Sequence, residues 1–100
     1  MVKEKEMICK NVLERVLKTE FSSNMFSLDG YAEDSVCLNK EDSAWEVYIG
    51  TRGNKNELEQ YDNIISACLA VIKLLTPCNE SLRAGLNDMF ANAMIPDKIA

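Results

Sequence analysis

The sequence predicts an α+β domain in which one helix precedes a small antiparallel sheet and two helices follow it. Apolar residues recur at helical spacing near the start of the chain, alternate with polar residues in the middle, and return to helical spacing after Asp62. A chain of 100 residues suits one domain with one core. We therefore expect residues 1–100 to fold as a single unit in which helices cover one face of the sheet.

The first helix is predicted over Glu4–Glu20. Its apolar residues follow one another at spacings of four, one, three and one, which places them on one helical face. They are Ile8, Val12, Leu13, Val16 and Leu17. Charged residues occupy most of the other positions, so the helix is expected to be amphipathic.

The sheet is predicted between Ser22 and Tyr61, where the period shortens to two. In Ala44–Thr51 apolar side chains alternate with Glu46 and Tyr48, so the two sets point to opposite faces. The inward-facing set is Trp45, Val47 and Ile49, joined by Val36 and Leu38 from a weaker alternation over Ser35–Lys40. The opposite face can remain in water, as in many antiparallel sheets.

Polar turns separate the predicted strands. Glu41-Asp42-Ser43 suits a hairpin, and Arg52–Lys55 forms a second turn in which Gly53 can adopt positive φ. A return strand over Glu57–Tyr61 is expected to carry Leu58 inward. A first strand over Asn24–Leu28, before the Asp29-Gly30 turn, would raise the antiparallel meander from three strands to four.

Two helices are predicted after the sheet. Asp62 suits the N-cap of a helix over Asn63–Leu75, which Thr76-Pro77 ends. Apolar residues lie on more than one side of this helix, so it is expected to be well buried.

The last helix has two candidate N-caps, Asn79 and Ser81, and Pro96 is expected to end it. Its apolar residues at helical spacing are Leu82, Leu86, Met89, Phe90 and Met94.

The residue types exclude most familiar catalytic sites. The chain has no histidine, so neither a Ser-His-Asp nor a Cys-His arrangement can form. The phosphate-binding patterns GxxxxGK[ST] and GxGxxG are missing. Four cysteines, none in a CxxC pair, are expected to be buried or half-buried free thiols rather than metal ligands. We expect no enzyme activity, no cofactor and no metal.

Charge is concentrated in the sheet region. Between Glu20 and Asp62 there are ten acidic and three basic residues, which gives this segment a charge of −7. The remainder of the chain carries +2, so the net charge is −5. Such a segment repels the phosphates of nucleic acids and attracts a basic partner. The alternative is that the acidic residues only keep the protein in solution.

The segment Met1–Met7 lacks the apolar stretch of a signal peptide, and Ile64–Leu75 is too short to span a bilayer. We therefore expect a cytoplasmic protein that does not bind membranes. Glu46, Tyr48 and Tyr61 would give the open sheet face aromatic and acidic character, which suits protein binding. Arg52 can contact a partner or pair with a nearby carboxylate, and the sequence leaves both open.

Two segments resemble a known family. One is the run Trp45-Glu46-Val47-Tyr48-Ile49-Gly50-Thr51-Arg52-Gly53-Asn54-Lys55, and the other is Tyr61-Asp62-Asn63-Ile64-Ile65-Ser66-Ala67-Cys68-Leu69. Together they resemble small immunity proteins of bacterial contact-dependent inhibition and polymorphic-toxin systems, over about Gly30–Leu75. That family often has an acid before the Arg-Gly turn, where this chain has Thr51.

The resemblance implies a cytosolic antitoxin that binds the C-terminal domain of a cognate toxin, typically a basic nuclease, and blocks its active site. On this interpretation the acidic segment imitates the toxin's polyanionic substrate. The expected partner-binding residues are Glu33, Asp34, Glu41, Asp42, Glu46, Tyr48, Glu59 and Tyr61.

Two other classes stay open from the sequence. One is an adaptor or a module that forms a homodimer through its open sheet face; a monomer and a weak dimer are both compatible with the pattern. The other is a small enzyme or ligand-binding protein, which would need a deep pocket lined by converging polar groups.

Overall fold

The computed structural model describes residues 2–94 and, within the first helix, the side chains from Lys5 onward. A helix comes first, a four-stranded sheet follows, and two helices complete the α+β fold, as predicted. The elements are α1 (Val2–Leu17), a short 3₁₀ turn (Ser23–Met25), β1 (Phe26–Ser27), β2 (Ser35–Glu41), β3 (Ala44–Thr51), β4 (Asn54–Tyr61), α2 (Ile64–Leu75) and α3 (Glu80–Ala93).

The strand order in the sheet is β1-β2-β3-β4, and three of the four strands form the predicted antiparallel meander. The first strand differs from the prediction, because β1 is two residues long and runs parallel to β2, with Phe26 beside Val36. A parallel neighbour cannot be joined by a hairpin. The chain therefore returns through residues 28–34, which we call the crossover loop, before β2 begins.

Helix α2 lies directly on β2 and β3, whereas α1 and α3 pack on α2 and on each other. Trp45 and Val47 are buried beneath the helices, as the alternation predicted, and Ile49 is partly buried. The predicted position of Ile8 is wrong, since it is 53% exposed and Cys9 is fully buried in its place. The stripe 9, 12, 13, 16, 17 follows the i, i+3, i+4, i+7, i+8 pattern, and Ile8 lies one residue, or about 100°, outside it.

The helix caps correct one prediction and decide between two others. Asn63, not Asp62, caps α2, because its Oδ1 accepts the backbone N–H of Ser66 at 2.8 Å. Asn79 rather than Ser81 caps α3, with Oδ1 at 3.0 Å from the backbone N of Leu82. The predicted stop at Pro96 lies outside the described residues.

Strand β4 contains a bulge that the sequence did not predict. Asn56 pairs with Ile49 and Glu59 with Val47, so β4 has two residues opposite Tyr48. The first of them, Glu57, has a left-handed φ of 58°. The bulge breaks the alternation along β4. Leu58 is 44% exposed, and the prediction that it points inward is wrong.

Across residues 2–94, none of the helices combines the length and the apolar content needed to span a membrane.

Candidate partner-binding surface

The outer face of the sheet, on the side away from α2, is covered at the position where the sequence predicted an open surface. Glu46 and Tyr48 do lie on this face. In the pairing of β2 with β3, Glu46 is opposite Asn39 and Tyr48 is opposite Cys37, and directly opposite residues share a face of the sheet. However, Tyr48 is 1% exposed and Glu46 6%. The prediction that these two side chains are available to a partner is therefore wrong.

Tyr48 is covered by the crossover loop. The Tyr31 ring stacks on it with centroids 6.3 Å apart and 22° between the planes, and the Lys55 Nζ lies 5.1 Å from its centroid. Burial raises the pKa of the Tyr48 phenol. Gly50 allows the close approach, because a Cβ there would lie 2.3 Å from the backbone oxygen of Ala32.

Glu46 forms an ion pair within the sheet. Its Oε1 accepts a hydrogen bond from the Lys55 Nζ at 2.8 Å. This bond is the main reason that the pKa of Glu46 lies below its ordinary value, and it raises the pKa of Lys55. A buried carboxylate that is paired with a lysine is neutralised within the sheet and does not present a free charge to a partner.

Glu33 attaches the crossover loop to the turn between β3 and β4. Its carboxylate accepts the Tyr31 hydroxyl at 2.6 Å and the backbone N–H groups of Arg52 and Gly53 at 2.5 and 3.3 Å. The hydrogen bond from Tyr31, followed by the one from Arg52, lowers the pKa of Glu33, and Glu33 in turn raises the pKa of Tyr31. The carboxylate remains exposed, so Glu33 has a structural role and an accessible charge.

The other turn acids are exposed and lie at two separate places. Asp34 is the last residue of the crossover loop and donates its backbone N–H to the Gly50 oxygen at 2.8 Å, whereas Glu41 and Asp42 lie at the β2–β3 turn. These places are at opposite ends of the eight-residue strand β3, which is about 23 Å at the usual rise of ~3.3 Å per residue. The predicted acids therefore do not form one compact patch.

Arg52 lies at the tip of the β3–β4 hairpin with a left-handed φ of 54°, and Gly53 follows with φ 78°. Two successive left-handed residues are what a type I′ hairpin turn requires. The Arg52 side chain forms no ion pair with any residue of the described part. Of the two roles that the sequence left open, pairing with a nearby carboxylate is not observed.

Glu59 and Tyr61 lie on the helix side of the sheet, contrary to the prediction that they share a face with Glu46 and Tyr48. Their partners in β3 are Val47 and Trp45, both buried beneath the helices. Because β4 is at the edge of the sheet, the two side chains border a groove between β4 and α2 of about 260 Å³.

Sequence reasoning missed Glu57 as a candidate, although it borders the same groove. The available signal was the spacing of Glu57 and Glu59, which lie two residues apart in the predicted return strand. The covering of Tyr48 by Tyr31 and Lys55 carried no local signal, because Tyr48 lies seventeen residues from Tyr31 and seven from Lys55 along the chain.

Cysteine thiols and carboxylates are the candidates for reactive or metal-binding groups in the described residues. Cys9, Cys37 and Cys68 are buried free thiols, as expected, whereas Cys78 is exposed. Burial raises the pKa of Cys68 to about 12, so it remains a neutral thiol at pH 7. Within residues 2–94 no group of three or more His, Cys, Asp or Glu side chains is placed to hold a metal ion.

Comparison with models of protein families, with curated proteins and with solved structures finds no match to this chain.

Proposed function

We propose that this chain is an immunity protein that binds the C-terminal domain of a cognate toxin through a basic surface of that toxin and covers its active site. One observation carries the proposal. Between Glu20 and Asp62, eight carboxylates are exposed and form no ion pair with the described residues. They are Glu20, Glu33, Asp34, Glu41, Asp42, Glu57, Glu59 and Asp62.

The pairing pattern of the charges supports this interpretation over acidity that serves solubility alone. In this segment Asp29 is paired with Lys10 and Glu46 with Lys55, each at 2.8 Å. Most of the remaining acids lie on the turns that border the sheet and on its edge strand β4, at separate places that a basic protein can approach from solvent. Unpaired exposed charges of one sign accelerate the encounter with a partner of the opposite sign.

The edge strand also argues against one form of homodimer, in which two copies pair along β4. Two copies that paired along β4 would bring Glu57 and Glu59 of one copy close to the same residues of the other, and like charges across a sheet are destabilising. The bulge at Glu57 further interrupts the regular row of backbone groups that edge pairing needs. A monomer that waits for a basic partner fits these features better.

Co-expression with the C-terminal domain of a secreted protein encoded immediately upstream tests the proposal. The expected result is a stable 1:1 complex on gel filtration and survival of cells that otherwise die from the toxin domain. A chain that neither co-purifies with the domain nor protects cells would exclude the proposed function. Gel filtration of the chain alone should give a monomer, and a stable dimer would favour the homodimer alternative.

A further inference from the structure

The groove between the edge strand β4 and helix α2, which we call the β4–α2 groove, combines an apolar floor with an acidic rim. Val47, Ala70 and Leu74 contribute apolar surface, and half-buried Tyr61 also lines the groove. Glu57 and Glu59 border it on the strand side. Its volume of about 260 Å³ is below the ~300–1,000 Å³ typical of small-molecule pockets, and it suits a single side chain.

The two rim carboxylates are available to an incoming cation. Both are exposed, and neither forms a salt bridge or a hydrogen bond with the described residues. Lys73 also borders the groove, on the helix side, so the three charges sum to −1. An occupant that carries one positive charge would neutralise this groove.

The bulge in β4 keeps a glutamate at a position where glycine would be less strained. In a bulge whose first residue is left-handed, that residue is usually glycine, because a side chain is disfavoured at positive φ. Glu57 occupies this position with φ 58°. Replacing it by glycine should therefore relieve strain and remove a charge from the groove at the same time. A loss of binding in that variant could then not be attributed to a loss of stability.

We propose that the β4–α2 groove receives an arginine side chain of the basic partner, an inference that rests on the proposed function. The aliphatic part of arginine would lie on Val47 and Leu74, with the guanidinium at the rim between Glu57 and Glu59. Arginine fits better than lysine, since its planar group bonds carboxylates with two parallel hydrogen bonds and stacks on aromatic rings such as Tyr61. Small molecules are disfavoured by the volume, and a second copy of this chain by the like charges on the rim.

The probe that tests this placement is a capped tri-arginine peptide, titrated into the ¹⁵N-labelled full chain and followed by NMR. A tri-citrulline peptide of nearly the same shape but no charge is the matched ligand control. We expect the arginine peptide to shift backbone amides of residues 57–61 and 70–74, and the citrulline peptide to leave them in place. Shifts confined to residues 33–34 or 41–43, or no shifts at all, would overturn the placement.

Two double variants with the same charge change complete the test. Glu57→Gly with Glu59→Gln should weaken peptide binding about fivefold, the order expected for two partly exposed ion pairs, while the melting temperature stays equal or rises. Glu41→Gln with Asp42→Asn, at the β2–β3 turn and outside the lining of the groove, should leave the affinity within about twofold. If peptide binding were weakened equally in both variants, the effect would come from the net charge of the protein alone, and the proposed groove site would be contradicted.

Binding to the toxin domain distinguishes failure of this inference from failure of the proposed function. If the toxin domain binds with unchanged affinity to the groove variant, the groove assignment is wrong and the proposed function remains. If no toxin domain binds but the peptide still occupies the groove, the proposed function is wrong and the groove is a site for another basic protein. If the groove variant weakens the toxin complex at least tenfold, both are supported.

Discussion

The carboxylate of Glu33 accepts the backbone N–H of Arg52, nineteen residues further along the chain, at the tip of the β3–β4 hairpin. The neighbouring Gly53 N–H donates to the Tyr31 hydroxyl oxygen at 2.6 Å and to the Glu33 carboxylate at 3.3 Å. One ionised side chain therefore connects the crossover loop to the hairpin. The loop in turn covers Tyr48, so this connection contributes to the closed outer face of the sheet, together with the backbone bonds of Gly30 to Leu38 and Asp34 to Gly50.

The connection should depend on pH. Because the pKa of Glu33 is lower in the folded protein than its ordinary value of 4.5, its contribution is complete above that value and is lost as the pH falls through the lowered folded pKa. We expect the backbone amide resonances of Arg52 and Gly53 to titrate together with an apparent pKa below 4.5. In Glu33→Gln this step should be missing. An unchanged titration in that variant would mean that another group holds the hairpin.

Substitution of Gly50 should displace the crossover loop. In Gly50→Ala the new Cβ would meet the Ala32 backbone oxygen at 2.3 Å, a contact that only backbone movement can relieve. We expect a loss of about 1–3 kcal/mol in the free energy of unfolding, measured in urea. The near-UV circular dichroism of the tyrosines should also change, because a displaced loop alters the stacking of Tyr31 on Tyr48.

Gly85→Ala is the matched control for that substitution. Gly85 lies within α3, and a Cβ there would meet nothing within 4 Å. Alanine should stabilise the helix by about 0.5–1 kcal/mol. A similar loss of stability in both variants would contradict the claim that the loop contact makes Gly50 necessary.

The ion pair on the outer face should behave as one unit. Lys55→Met removes the ammonium that neutralises Glu46, so a nearly buried carboxylate remains without its cation, and the urea midpoint should fall. Adding Glu46→Gln removes the isolated charge and should restore part of the loss. If the double variant is less stable than Lys55→Met alone, the carboxylate is stabilised by groups other than Lys55.

Much of the fold was predictable because its signals are local. The alternation of Trp45, Val47 and Ile49 indicated both a strand and the face that the helices cover, and the spacing of Val12, Leu13, Val16 and Leu17 indicated α1. The cap of α2 was misplaced by one residue, since Asp62 and Asn63 are both good caps and only the backbone direction decides between them.

The candidate site was harder to predict because its exposure depends on distant contacts. Alternation placed Tyr48 on the outer face correctly but could not indicate that residues 28–34 would return across it. The bulge at Glu57 had a similar effect, since one extra residue in β4 changes which side chains share a face. The charges of Glu41 and Asp42 were correctly expected at an exposed turn, where local composition is sufficient.

The measurement that tests the central claim most directly is the rate of association with the toxin domain, followed by stopped flow at several salt concentrations. The test variant combines Asp34→Asn, Glu41→Gln and Asp42→Asn, three exposed acids whose side chains form no ion pair with the described residues. The control removes the same charge outside the sheet region with Glu14→Gln, Glu80→Gln and Asp88→Asn. We expect the test variant to associate about tenfold more slowly at low salt and with a weaker salt dependence, while the control stays close to the original chain. Equal association rates for the two variants would contradict the claim that the acidic sheet region recognises a basic partner.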